Sequence, residues 1–213
     1  TVWRGQADLL LNGGEGSRGQ TALPQGIRWT LGPGWSQGPV LRASLSSPCC
    51  TEQPLVVTVH PGLASNNIRF DAFSSRWPAA MLVGLGTPWN TLRLDGQLLL
   101  QSPGFAVAWN NGRPLLDGQL VIEAHDLATR VSTLRPLGSY RIEITTRPES
   151  NEAHLALNTL NGGLQLQGNG QWVGGRLRFR GDASASPGNE TALANLLSII
   201  GRRDGKRSVL TFG

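Results

Sequence analysis

Alternation of apolar and polar residues at every second position constrains this chain more than any other feature. In residues 140–147, Tyr140, Ile142, Ile144 and Thr146 fall on one side, and Arg141, Glu143, Thr145 and Arg147 on the other. In residues 116–125, Leu116, Gly118, Leu120, Ile122 and Ala124 oppose Asp117, Gln119, Val121, Glu123 and His125. Leu92, Leu94, Leu98 and Leu100 share a side, and Leu177 and Phe179 oppose Arg176, Arg178 and Arg180. Shorter stretches repeat the pattern: IRWTL, VLRASLS, PLVVTVH, NIRFDAF, FAVAW and AHLALN. A period of two sends successive side chains to opposite faces of a strand. One apolar face per strand marks antiparallel sheet with one side wet. The reading is mainly β: a strongly curved antiparallel sheet or partly open barrel, built as one domain over residues 1–213.

Turn formers punctuate these strands, in NGGEGSRG, LGPGWSQGP, WNNGRP, NTLNGG and VGG. Asn111-Gly112 and Asn161-Gly162 are predicted to close tight hairpins. The pair Gly-Gln recurs at residues 5, 96, 118 and 170, each time with glycine on the apolar face. A glycine there leaves room for a facing side chain or lets the strand coil sharply.

Two segments depart from the alternation. In SSRWPAAMLVGLGTPWNTL, residues 74–92, Ser74 or Ser75 can cap a short helix with Pro78 in its first turn. Gly84 and Gly86 are expected to end it, and Pro88 to prevent its return. Near the end of the chain, Leu193, Leu196, Leu197 and Ile200 stand at i, i+3, i+4 and i+7, the stripe of an amphipathic helix. Asn189 is its expected cap, Glu190 suits the first turn, and Gly201 suits the position after its end. Arg202 and Arg203 then compensate the negative helix end, and RSVLTF reads as a last strand. A helix this short is marginal alone. Its four large apolar residues need a surface, so it is predicted to plug one end or face of the curved sheet.

Recognisable chemistry is sparse. His60, His125 and His154 each sit in a strand pattern with no His or Cys at metal-ligand spacing. No G-x-S-x-G, P-loop or H-E-x-x-H occurs. Asp117 and Glu123 lie six residues apart on one face, about 20 Å along a strand and too far for a glycosidase pair. The reading is therefore no enzyme, no metal and no cofactor. The charge is +5, but the arginines are spread along strands rather than clustered with aromatics, which speaks against nucleic acid. Acidic partners and anionic headgroups stay open. Cys49 and Cys50 are adjacent, and a trans peptide holds neighbouring Cα atoms about 3.8 Å apart, closer than most disulfides. A reduced pair in a turn and a vicinal disulfide are both open readings. Seven tryptophans, Trp3, Trp29, Trp35, Trp77, Trp89, Trp109 and Trp172, fit a core or a groove for sugar or lipid. No run of 18 apolar residues occurs, and the first residues already carry a strand pattern, so an upstream signal peptide or anchor is expected.

The stretches TVWRGQADL, WPAAMLVGLGTPWNTLRLDGQLLL and RLRFRGDASASPGNETALANLLSIIGRRDGKRSVLTFG resemble, in order, the type II secretion system protein N family. Leu85-Gly86-Thr87-Pro88 and Gly201-Arg202-Arg203 are the most distinctive parts of that resemblance. It implies a single-pass bacterial inner-membrane protein whose periplasmic domain is this chain, with its anchor removed. It would place Cys49 and Cys50 in an oxidising space. It also implies a non-enzymatic accessory subunit, touching the outer-membrane secretin or the inner-membrane assembly platform. The family bears a distant likeness, of fold only, to lipid-handling envelope proteins with curved β-sheets. Contact is expected through a strand edge or the basic tail of Arg202, Arg203, Lys206 and Arg207. The competing reading is a lipid- or hydrophobe-binding module with an open apolar trough. Self-association is left open.

Overall fold

The computed structural model describes residues 2–12, 20–36, 38–62, 67–86, 89–110, 113–146, 152–173 and 176–213. Most of the alternating segments form strands, and Arg147 lies outside the described residues. The first group is β1 (Arg4–Ala7), β2 (Leu10–Asn12), β3 (Gln20–Ala22), β4 (Ile27–Trp35), β5 (Pro39–Ser46), β6 (Leu55–His60), β7 (Asn67–Phe70) and β8 (Phe73–Pro78). A 3-10 helix (Ala79–Leu85) and one turn of helix, α1 (Trp89–Leu92), follow. The second group is β9 (Asp95–Asn110), β10 (Arg113–Ala128), β11 (Gly138–Thr146), β12 (Ala153–Gly162), β13 (Leu164–Val173) and β14 (Arg176–Ala185). Helix α2 (Glu190–Ile200), β15 (Arg202–Asp204) and β16 (Arg207–Phe212) complete the described chain.

Fourteen of these strands make one antiparallel sheet in the order β1-β4-β5-β6-β7-β9-β10-β11-β12-β13-β14-β16-β15, with β8 also paired to β9. The sheet does not close, so β1 and β15 are its margins. β2 and β3 form a separate ribbon.

Register carries the apolar face across the whole sheet, because residues directly opposite in an antiparallel pair share a face. One row runs Leu41, Val59, Ile68, Val107, Leu116 over five strands. Another runs Leu100, Ile122, Ile142, Leu157, Gly168, Gly181, Leu210. β9 contributes Leu98 and Leu100 in its first half but Phe105 and Val107 in its second. The parity changes at a bulge between Gln101 and Gly104, where the Ser102 hydroxyl donates to the Gln119 carbonyl (2.5 Å) and accepts from the Gly104 N–H (3.1 Å).

The four Gly-Gln glycines divide by cause. Gly5 and Gly170 face Trp29 and Phe179 in register, and an added Cβ would lie 2.3 Å and 3.2 Å from those rings. Gly96 and Gly118 have φ of +123° and +109°, and a Cβ there would strike a backbone carbonyl oxygen.

Several expectations are corrected. Ser74 and Ser75 do not cap a helix; they lie in β8, paired with Gln101 and Leu100, and Ser75 Oγ accepts from Trp77 Nε1. The helix after Pro78 is 3-10, and helix returns at Trp89, so Leu92 belongs to α1 rather than to the strand that starts at Asp95. Asn161-Gly162 is no hairpin turn: it pairs with Ser139 and Gly138 of β11, and the turn falls at Gly163. Gly162 is needed there because a Cβ would lie 2.2 Å from Gly138 Cα. Asn111-Gly112, Thr87 and Pro88 lie outside the described residues.

The core lies on the apolar face of the second group. Leu98, Ala124, Tyr140, Phe179, Ala183 and Leu210 from the sheet meet Ala79, Leu92 and Leu94 from the mid-chain helical segment. Leu193, Leu196 and Leu197 of α2, at most 2% exposed, join the same cluster, with half-buried Ile200 against it. Each fully buried leucine stabilises by roughly 1.5–3 kcal/mol. Buried serine hydroxyls fix the helix to its surroundings: Ser132 donates to the Ala192 carbonyl (3.0 Å) and Ser208 to that of Leu197 (2.6 Å).

Candidate functional site

The basic tail occupies the margin formed by β15, the following turn and β16. Helix α2 does not end as expected. Asn189 is the N-cap residue, its carbonyl accepting from Leu193 N–H (3.1 Å), but its side-chain amide donates to Ser186 Oγ (2.9 Å) rather than bonding the first turn, and at the other end Gly201 is extended at φ −165°. The chain therefore passes directly from helix to strand. Arg202 and Arg203 lie past the last helical turn, in β15, where they pair with Val209 and Ser208. All four tail cations are exposed, but their surroundings differ. Arg207 binds Asp204 (3.0 Å) and Asp182 (3.5 Å), and Arg203 donates to the Gly205 carbonyl (3.1 Å). Arg202 and Lys206 have no carboxylate within ion-pair distance among the described residues.

β15 has only three residues and all are exposed, a short charged edge of the kind that resists unplanned strand addition. It covers β16 only at Arg207–Val209, so Thr211 and Phe212 have β14 on one side and no described strand on the other. The opposite margin is β1. Beside it Leu31 N–H donates to the Trp3 carbonyl (2.7 Å), and Val2, Trp3 and Trp35 are 78%, 57% and 81% exposed. The tryptophans do not gather into one groove. Trp77 and Trp89 pack on the core, Trp29 lies over Gly5, and only Trp3 and Trp35 are exposed.

Cys49 and Cys50 are joined (S–S 2.00 Å, Cα–Cα 3.7 Å) in the turn after β5. That turn is tied on two sides. Buried Ser47 donates to the Gly26 carbonyl (2.8 Å), and the Cys50 carbonyl accepts from Arg76 N–H in β8 (2.7 Å). Only Cys49 of the pair is exposed.

On the polar face, Glu123 is held by Arg141 (2.7 Å) and His125 (3.1 Å), while Gln119 donates to Glu143 (2.6 Å). These partners make a cross-strand strip between β10 and β11. Asp117 lies away from that strip, beside pocket-lining Arg69 and Asp71. Among the described residues no three His, Cys, Asp or Glu side chains converge as metal ligands. No helix among them is long and apolar enough to cross a membrane.

Sequence reasoning passed over one feature. Arg178 and Arg180 were legible as polar-face residues, but the trough they border was not. Its lining comes from β11, β12, β13, β14 and β16, and only register brings those strands together.

The fold and these margins define a β protein built on one large unclosed sheet, with helices packed on its apolar face and both edges open. The model of the family described as type II secretion system (T2SS), protein N, matches residues 1–210. The chain belongs to that family, and so to the protein-transport machinery of type II secretion. Searches of curated proteins and of solved structures return no match.

Proposed function

We propose that this chain is a non-enzymatic accessory subunit that helps assemble or stabilise the type II secretion machine by protein–protein contact. Its domain would stand in the periplasm, held to the inner membrane by an anchor upstream. The supporting observation is the unclosed sheet, whose margins β1 and β15–β16 present backbone and exposed cations to a partner. The candidate partners are the secretin and the inner-membrane assembly platform. The test places photo-reactive side chains at Gln6 on β1 and at Arg203 on β15, in envelopes containing the whole machine. Recovery of a secretin or platform subunit is expected; recovery of neither rejects the reading.

A second reading is favoured by a separate observation. The main buried cluster includes no residue of β4–β7, so Ile68, Val59 and Leu41 continue the apolar face without a covering helix. A hydrophobe-binding trough would use that surface. Native mass spectrometry of gently purified protein, with uptake of a fluorescent fatty acid, tests it. Neither co-purifying lipid nor uptake would remove it.

A further inference from the structure

The polar face of the second group holds a trough of about 650 Å³ that runs from β11 to the free side of β16. Register places Gln171 opposite both His154 and Arg178, and Asn169 opposite Arg180, so these side chains share one face. Arg180 in turn stands opposite Thr211 of β16. On this face Arg141 is matched with Glu123 and Glu143, and Arg207 with Asp182 and Asp204, whereas Arg176 and Arg202 have no carboxylate partner among the described residues. Arg178 and Arg180 are exposed and have no carboxylate partner among the described residues. The one acidic group lining the trough, Glu143, is already bonded to Gln119 and lies near Arg141.

The trough ends at the stretch of β16 that β15 leaves uncovered, where Phe212 is 52% exposed. Unmatched cations, an unpaired strand and an apolar anchor thus lie together. A strand added beside Thr211 would sit about 4.8 Å from β16 and twice that from β14, within joint reach of a glutamate and an arginine side chain. By the period of two, its residue opposite Thr211 would face the arginines. The next residue would stand beside Phe212, while the flank of Leu210 is already taken by Gly201.

We propose that this trough and strand end bind an extended protein segment of alternating apolar and acidic residues, its carboxylates on Arg178 and Arg180 and its backbone on β16. The inference rests on the accessory-subunit reading for its biological partner, but not for its chemistry. It is a segment of protein rather than a lipid headgroup because the cations border an open strand edge.

The test titrates the full chain with a short peptide of alternating valine and glutamate, followed by backbone NMR. Shifts at Thr211 and Phe212 are expected, with affinity falling as salt is raised. Affinity should weaken by about fivefold in R178Q/R180Q and stay unchanged in R42Q/R130Q, which removes two exposed cations far from the trough. A charge-reversed variant, R178E/R180E, should prefer the valine–lysine peptide, which separates recognition from damage to the fold. Equal binding of a scrambled peptide, an unchanged affinity in R178Q/R180Q, or binding only to phosphatidylglycerol vesicles would each overturn the proposal. Envelope cross-links that R178Q/R180Q leaves intact would also reject the trough while sparing the accessory role. Peptide binding without any wild-type cross-link would do the reverse.

Discussion

The apolar face of the sheet meets two different environments. Over the second group of strands, α2 packs on β14–β16, and the mid-chain 3-10 helix packs on β9 and the β2–β3 ribbon. Residues such as Ala183 and Leu193 there are fully buried. Over β4–β7 the face continues in register, yet Val59 and Ile68 remain half-buried and Leu41 is 38% exposed. Alternation builds strands in both places, but the large buried cluster forms where helices return to cover them, and over β4–β7 burial is limited to isolated residues such as Val40 and Val57. One half of this molecule is organised by tertiary packing, the other chiefly by backbone pairing and its own side-chain neighbours.

The sharpest way to break this contrast is truncation on each side. Leu197→Ala removes a side chain that is 2% exposed and should cost about 2–5 kcal/mol, whereas Val59→Ala should cost about 1 kcal/mol. Urea unfolding midpoints give both values, and equal losses would mean that the first group hides a core of its own.

Glycine replacement probes the same difference at smaller scale. At Gly168 an added Cβ would lie 2.4 Å from the Phe179 ring and 2.8 Å from Gly181 Cα, so Gly168→Ala should cost about 1–3 kcal/mol. At Gly32 of β4 nothing lies within 4 Å, so Gly32→Ala should change stability by no more than about 0.5 kcal/mol. Thermal unfolding of the two variants would show whether the halves differ in closeness of packing as described.

Tyr140 sharpens the comparison through pH. It is the chain's single tyrosine, it is 4% exposed, and its hydroxyl donates to the Leu164 carbonyl (3.0 Å). Burial pushes its phenol well above the usual value of 10.0. A raised folded-state pKa gives stability that is fully present below the unfolded value and is lost as pH rises past it. Unfolding free energy should therefore fall above about pH 10, and less steeply in Tyr140→Phe, which itself should cost about 1 kcal/mol at neutral pH. Phenolate absorbance reads this residue alone; ionisation in the native protein at the ordinary value would contradict the burial. The smallest effect belongs to the exposed margin, where Asp204→Asn removes one partner of Arg207 and should cost under about 0.5 kcal/mol by urea unfolding.

Much of this architecture was legible because two periods are strong signals. Tyr140–Ile144 and Leu116–Ala124 could be assigned to strands from their alternation. Leu193, Leu196, Leu197 and Ile200 marked α2 by helical spacing. What stayed hidden depends on partners distant in sequence. Nothing local shows that β7 and β8 lie end to end along the same flank of β9, or that a bulge at Ser102 reverses which residues face inward. Ser74 and Ser75 carried a sound capping signal, but pairing with β9 claimed their backbone instead. The trough was illegible for the same reason. The absence of a carboxylate opposite Arg178 follows from the registers of β12, β13 and β14, not from the residues beside it.

The two bare margins have a bearing on polymerisation. Stacking copies margin to margin would lay β1 of one molecule along β15 of the next, bringing Arg4 near Arg202 and Arg203. Like charges on paired strands repel. In that arrangement an endless ribbon of identical subunits would carry an arginine cluster at every seam.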